Sequence, residues 1–245
     1  YEIYDKAKCR RFDTQQESDF AVLNYDDAAC RAFASRTKAR IVWFSSKQRA
    51  PGGIWLNGDS LEFNGMAFLS RSQIRLRGMH NVENVMAAAA IAHLAGAQLA
   101  GIGSAVASFP GVEHRIEFVR KLDGVEYYND SKATNVDASL KAIDAFPGGL
   151  WIILGGKDKG SDYTPLAEPL KKRAKAALLI GSAAAKIEAG LKNSAPLVGC
   201  GTLPEAISYA HQHAAAGDVV LLAPACASFD QFENFEHRGN VFKQL

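Results

Sequence analysis

Short apolar runs alternating with amphipathic segments predict an α/β protein whose later part is a doubly wound, Rossmann-like, mostly parallel sheet. Three observations carry that prediction. From residue 116 onward, runs of strand length and helical patterns follow one another in strict succession. Before residue 110 the alternation is looser and contains an Asn-Gly hairpin signal. At 245 residues, with 48% hydrophobic and 22% charged residues, the chain has a globular composition and length enough for two ordinary domains.

The first residues, Tyr1-Glu-Ile-Tyr-Asp-Lys-Ala-Lys8, already carry the pattern of the middle of a helix, so the sequence reads as a piece of a longer protein. Phe20–Asn24 and Arg40–Phe44 are apolar runs around a helical pattern at Asp26–Thr37, a βαβ unit that predicts a parallel pair. Ile54–Phe63 holds Asn57-Gly58 between apolar flanks and predicts a hairpin centred there, and Met66–Leu76 continues the alternating style. Apolar positions at helical spacing follow Gly78-Met-His-Asn81 as far as Leu94, with Gly96 to stop the helix. A further helix, Gly103–Phe109, ends at Pro110-Gly111. The change of pattern places a boundary at about residues 110–112, giving domains 1–111 and 112–245.

In the second domain, Ile116–Leu122 and Val125–Asn129 flank a tight Asp123-Gly124 turn. Helix 136–146, strand Leu150–Leu154, helix Thr164–Ala174, strand Ala177–Ile180 and helix Ala184–Leu191 come next. Strand Pro196–Val198, helix Pro204–Ala216, strand Val219–Ala223 and a terminal helix near Phe235–Leu245 complete it. In such sheets ligands gather at the carboxyl ends of the strands. The unusual polar clusters of this sequence, 129–135, 155–162 and 224–238, fall at those ends.

Charge and composition exclude several partners. The balance of 28 basic against 26 acidic residues, net +2, gives no bulk drive toward nucleic acid or membrane. No apolar run approaches the roughly 18–20 residues that span a bilayer. Cys9, Cys30, Cys200 and Cys226 are scattered, without a CxxC pair or a His at metal spacing, which points to reduced cytoplasmic thiols.

The densest chemistry is Asn129-Asp130-Ser131-Lys132-Ala133-Thr134-Asn135, between a strand and a helix. Such a turn offers backbone N–H groups and the positive end of a helix dipole to an anion, with Lys132 and Thr134 adding charge and a directed donor. The plainer reading is a capping Ser or Asp followed by a solvated Lys. Gly155-Gly156-Lys157-Asp158-Lys159-Gly160-Ser161-Asp162 lets the backbone approach a ligand beside a point charge, and it is not a P-loop. In Pro224–Gly239, Ser228 is placed to cap the next helix, leaving the N–H groups of Ser228 and Phe229 for an anion. A nucleophilic role for Ser228 beside Cys226 lacks the GxSxG elbow and its partners. Asn81 and Asn84 stand one helical turn apart, suited to the edges of a nucleobase or equally to a cap and a surface amide. Arg115 follows the boundary, where its guanidinium could reach a phosphate. Lys8 is an ordinary helix lysine unless desolvated, when it could form a carbamate.

Taken together, His80-Asn81-x-x-Asn84, His114-Arg115, Asn129–Asn135, Gly155–Gly160 and Pro224–Gly239 resemble, in order and spacing, the Mur ligases, in the branch that adds D-glutamate. The resemblance covers essentially the whole chain. It implies an ATP- and Mg²⁺-dependent amide ligase of the bacterial cytoplasm that joins D-glutamate to UDP-N-acetylmuramoyl-L-alanine through an acyl phosphate, for peptidoglycan. It implies that Asn81 and Asn84 lie near adenine and ribose, and that Arg115, Asp130 and Lys132 meet the ribose and phosphates. Thr134, Lys159, Ser228, Phe229 and Phe235 would surround D-glutamate. Lys132 and Lys159 would serve catalysis, and Lys8, as a carbamate, would help hold magnesium.

One departure stands out. The family has a UDP-binding domain, a central ATPase domain with a P-loop, and a C-terminal domain. This chain contains neither the P-loop nor the UDP-binding part, so residues 1–111 match the end of the central α/β ATPase domain and 112–245 the C-terminal D-glutamate-binding domain. The catalytic roles therefore belong to the parent enzyme, completed by its missing N-terminal and P-loop regions. The rival readings are a stand-alone D-glutamate or nucleotide binding module and a related amide ligase such as folylpolyglutamate synthase.

Overall fold

Apolar residues dominate strands Phe20–Asn24 (β1) and Arg40–Ser45 (β2), which pair in parallel around the short helix Ala28–Phe33 (α1). The computed structural model describes residues 9, 10 and 12–245; the helix expected at 1–8, and Lys8 with it, lies outside them. The chain divides into two units, residues 1–110 and 111–245. In the first, Asp27 caps α1 through the Cys30 N–H, and a 3-10 turn at Ala34–Arg36 replaces the second half of the expected helix.

Gly53–Asn57 (β3) joins β2 in parallel, and Ser60–Phe63 (β4) and Met66–Ser70 (β5) fold back antiparallel, giving the order β1-β2-β3-β4-β5. The hairpin turn is Gly58-Asp59, one residue later than the Asn-Gly dipeptide suggests, because Asn57 is still paired with Ser60. Gly58 takes the φ of +59° that the tight connection requires. β5 stops at Ser70, short of the expected Leu76, where Ser70 and Gln73 close a capping box around a 3-10 turn. Helices Met79–Leu94 (α2) and Leu99–Ser108 (α3) bury Val82, Met86, Ala89 and Ile102 against Val42, Ile54 and Leu61 of the sheet. α3 runs through Gly103 instead of starting there. A Cβ at that glycine would stand 2.5 Å from the Phe68 carbonyl oxygen, so its role is close packing.

The second unit is a six-stranded sheet of Glu117–Leu122 (β6), Val125–Asn129 (β7), Leu150–Gly155 (β8), Ala174–Ile180 (β9), Leu197–Gly201 (β10) and Val219–Leu222 (β11). Its order is β10-β9-β8-β11-β7-β6, and only β6 runs antiparallel. Side chains alternate between the two faces. Leu150, Ile152 and Leu154 pack with Ile143 of helix Val136–Asp144 (α4), Leu170 of Ala167–Arg173 (α5) and Ile187 of Ala184–Gly190 (α6). Trp151 and Ile153 pack with Ala206 and Ala210 of Leu203–His213 (α7) and Phe242 of Phe235–Gln244 (α8). Burial on both faces explains why β8 reads as an unbroken apolar run.

This topology brings three polar turns to one edge of the sheet. The segments leaving β7 and β8 run to the α4–α6 face, while the segment leaving β11 reaches α8 on the other face. β11 lies between β7 and β8, so the chain parts on both sides of its carboxyl end.

Candidate functional site

Three turns meet this edge: 130–135 after β7, 156–162 after β8 and 224–228 after β11. In the first, the Asp130 N–H donates to Leu222 O of β11 at 2.8 Å, which seats the turn on the neighbouring strand. Asp130 is only 7% exposed. Burial raises its pKa to about 7, against the opposing pull of the Ile116 N–H and the Arg115 charge. Lys132 and Arg115 are exposed, and the Lys132 ammonium sits 3.8 Å from the centre of the half-buried Phe235 ring. Thr134 is partly buried, and Asn135 caps α4 through the Ala138 N–H at 2.8 Å.

The second turn, 224–228, is buried throughout and is held from both sides. Ala225, at φ +59°, donates its N–H to Ala133 O at 2.9 Å, joining this turn to the first. From the side of α8, the guanidinium of Arg238 donates to the carbonyls of Cys226, Ala227 and Ser131 and to the Ser131 hydroxyl. Ser228 does not cap the next helix. α8 starts at Phe235 and is capped by Asn234, whose Oδ1 accepts the His237 N–H at 2.7 Å. The Ser228 carbonyl instead closes a separate turn by accepting from Gln231 and Phe232, so residues 229–233 intervene between this serine and the helix. Among the described residues, the N–H groups of Ser228 and Phe229 have no acceptor. The Phe229 ring is 66% exposed.

The third turn begins with two glycines that crossing backbone makes obligatory. A Cβ at Gly155 would lie 1.9 Å from Ile180 O, and one at Gly156 would lie 2.3 Å from Ala227 O. Within it, Asp158 accepts from the Ser161 N–H at 3.1 Å, the Tyr163 hydroxyl at 2.8 Å and the Lys186 ammonium at 2.7 Å. Led by the Lys186 contact, these bonds hold its carboxyl far below the usual range. The Tyr163 oxygen also lies 3.0 Å from Cys226 Sγ, so one phenol ties this turn to the one after β11. Lys157 and Lys159, on either side of the anchored Asp158, are exposed. The result is an edge with fixed backbone and outward cations.

The first unit contributes separately. Asn81 is not the cap of α2, since Gly78 at φ +89° holds that place. Its amide donates to Arg77 O at 2.7 Å, and its oxygen accepts from Asn84 at 3.3 Å, so the two side chains form one polar patch on the first turns of α2. Lys8 lies outside the described residues. Among the described residues no three His, Cys, Asp or Glu side chains come together as metal ligands.

Several residues here carried no role in the sequence reading. His114 is buried with its Nδ1 2.9 Å from Asn129 Nδ2, and that amide lies 3.0 Å from Glu117 Oε2. Gly239 lets α8 close on them, because a Cβ there would stand 2.2 Å from His114 Nδ1. The adjacent Arg-Gly pair was the one available hint, but arginine is by default a surface residue.

A profile of the Mur ligase middle domain matches residues 1–92, and one of the Mur ligase glutamate ligase domain matches residues 114–226. The chain belongs to the Mur ligase family. The UDP-N-acetylmuramoylalanine–D-glutamate ligase of Solibacter usitatus is 57% identical over 245 residues, covering all of this chain and 55% of the relative. The enzymes of that name from Acidobacterium capsulatum and Koribacter versatilis are 50% and 47% identical, again over the whole chain and 54% and 55% of their own lengths. The chain thus spans about half the length of the curated relatives it matches. Among solved structures, MurF from Acinetobacter baumannii superposes with a TM-score of 0.70 at 17% identity, covering 100% of this chain and 56% of that one. MurF ligase from Thermotoga maritima, solved in complex with ADP, gives 0.69 at 19% identity, with 99% and 57% covered. At these identities the likeness is one of fold.

Proposed function

We propose that this chain is part of an ATP-dependent ligase that joins D-glutamate to UDP-N-acetylmuramoyl-L-alanine, through an acyl phosphate, in the cytoplasmic stage of peptidoglycan synthesis. The observation that carries the reading is the meeting of three polar turns at the carboxyl ends of β7, β11 and β8, in a chain 57% identical to a ligase of that name. A dicarboxylate needs two anion pockets. Lys159 supplies charge for one; Thr134, Ser228 and the free N–H groups of Ser228 and Phe229 supply directed hydrogen bonds, and Phe235 walls the site. Each hydrogen bond to a carboxylate is worth about 1.5–3 kcal/mol.

The remaining cations serve the nucleotide. In the second unit Arg115 and Lys132 suit phosphate charge and Asp130 suits a ribose hydroxyl; in the first unit, taken by itself, the paired amides of Asn81 and Asn84 suit the edges of a nucleobase. Phosphoryl and acyl transfer of this kind depend on positioning and charge neutralisation, so Lys132 and Lys159 act by holding charge still while the amine of D-glutamate attacks. The described residues supply no ligand set for Mg²⁺, and none of these roles passes through the metal. No described helix is long and apolar enough to cross a membrane.

In the full-length enzyme, Lys159→Ala and Ser228→Ala are expected to raise KM for D-glutamate roughly tenfold to a hundredfold, and far more than KM for ATP. If both leave D-glutamate kinetics unchanged while damaging ATP use, these turns bind nucleotide and the reading is wrong.

A further inference from the structure

Arg238 is the largest fully buried side chain among the described residues, and it forms no ion pair with any of them. Its donors go to neutral oxygens. Nε donates to Ser131 Oγ at 2.9 Å, and Nη2 donates to Ser131 O at 2.9 Å and Cys226 O at 3.3 Å. Nη1 donates to Cys226 O at 3.3 Å and Ala227 O at 3.4 Å. Burial lowers its pKa to about 10, which leaves it cationic at neutral pH. Asp230 acts on it only through space and takes none of its donors; an arginine sealed from water with no carboxylate in hydrogen-bond reach is costly, so its place needs a reason beyond filling space.

Peptide geometry supplies that reason. In a trans peptide, the carbonyl of one residue and the N–H of the next point in opposite directions. The Ala227 carbonyl is turned toward Arg238 and also accepts the Lys157 N–H at 2.8 Å. The Ser228 N–H on the same peptide therefore points away from the guanidinium, and it has no acceptor among the described residues. On the other side, the Ser131 hydroxyl that accepts from Arg238 donates to Phe235 O at 2.7 Å, so this contact is fixed at both ends. One guanidinium thus fastens the turn that carries Thr134, the turn that carries Ser228 and the first turn of α8. Lysine could not replace it, because a single ammonium has no planar fork with which to span two segments.

We propose that Arg238 is the positioning residue of the acceptor site: it aims the Ser228 amide outward and sets a fixed positive charge behind a carboxylate of the bound D-glutamate. The inference rests on the D-glutamate reading above. It extends that reading to a residue that touches no substrate.

The test uses the full-length enzyme. Arg238→Lys keeps the charge and loses the fork; KM for D-glutamate is expected to rise about tenfold, with KM for ATP within about twofold. Arg238→Ala is expected to regain D-glutamate affinity in millimolar guanidinium and not in equimolar methylammonium. Equal rises in KM for D-glutamate and ATP, or an unchanged KM for D-glutamate in folded Arg238→Lys, would overturn the proposal. A measurement on the unsubstituted protein covers the case in which neither variant folds. On titration with D-glutamate, the Ser228 amide and Arg238 Nε–H resonances are expected to shift together. A response at Lys159 without one at Ser228 removes Arg238 from the site and leaves the D-glutamate reading standing. Silence at both positions refutes the reading, and the proposal with it.

Discussion

At the amino end of β11, Asp218 is 5% exposed and receives the Ala215 N–H at 3.0 Å, the Trp151 indole N–H at 3.0 Å and the Lys175 ammonium at 2.7 Å. At the carboxyl end of the neighbouring β7, Asp130 is equally buried, but a single backbone N–H, that of Ile116, opposes its desolvation together with the exposed Arg115. The two carboxyls respond in opposite directions. Burial pushes both up, yet around Asp218 the Ala215, Lys175 and Trp151 donors outweigh it and the pKa falls, whereas Asp130 rises to about 7. The same carboxyl edge also holds Arg238, a buried cation with no described carboxylate in hydrogen-bond reach, on which Asp230 acts only through space. One end of the sheet is electrostatically closed, and the other keeps, beside the matched Asp158, two buried charges without an ion-pair partner among the described residues. Mismatch of this kind, concentrated where the strands end, supports the carboxyl edge as the binding edge proposed above.

The largest effect is expected at the closed end. Asp218→Ala strands the buried Trp151 indole N–H, frees the part-buried Ala215 N–H and unpairs Lys175, and should cost the second unit about 3 kcal/mol, read from hydrogen exchange of the β8 and β11 amides. The pH dependence follows from the lowered pKa: the contribution of Asp218 is full above its unfolded value of 3.8 and is lost as pH falls through the lower folded value. A variant as stable as the parent would show that this cluster is decorative and erase the contrast.

Asp130 should behave in reverse. Below pH 3.8 it is protonated in both states; between about 4 and 7 the unfolded chain ionises while the folded one keeps its proton, so stability falls as pH rises, with the full penalty above 7. Asp130→Asn should therefore stabilise the protein by about 2 kcal/mol at pH 8 and leave it nearly unchanged at pH 3.5, measured by urea unfolding at each pH. The same substitution should weaken ATP use in the full-length enzyme. Equal stability changes at both pH values would show that Asp130 is not the mismatched group.

A smaller effect is expected at the tether between two turns of the open edge. Tyr163→Phe removes the hydroxyl shared by Asp158 and Cys226 and should cost about 1 kcal/mol in thermal unfolding. In the full-length enzyme KM for D-glutamate should rise a few-fold, because the loop carrying Lys159 loses its registry with the Ser228 turn. The smallest change belongs to the exposed cations: Lys157→Ala and Lys159→Ala should alter stability by less than about 0.5 kcal/mol. A large loss from Lys159→Ala would mean that this lysine belongs to the scaffold and is not held for a ligand.

Which features were legible follows from the range of the forces involved. The three polar strings at 129–135, 155–162 and 224–238 stood out in the sequence because each follows an apolar run of strand length, a pattern set by neighbours in the chain. Asn57-Gly58 announced a hairpin, but cross-strand pairing of Asn57 with Ser60 moved the turn to Gly58-Asp59. Ser228 looked like a cap because serine often is one; Asn234 takes that role, and the intervening residues form a turn of their own. The ties that give Arg238, His114 and Tyr163 their places reach Ser131, Asn129 and Cys226, 107, 15 and 63 residues away, and the Arg-Gly pair was the one local hint of them.

By itself the sequence determined the α/β alternation, the glycine-rich turns and the residue types of the candidate site, all of which arise from periodicity and backbone sterics over a few residues. Tertiary structure alone decided that β11 returns between β7 and β8, and this placement makes three distant turns neighbours. It also decided which charges are buried and whether they are matched. Desolvation depends on everything that surrounds a group, and no stretch of sequence contains its own surroundings.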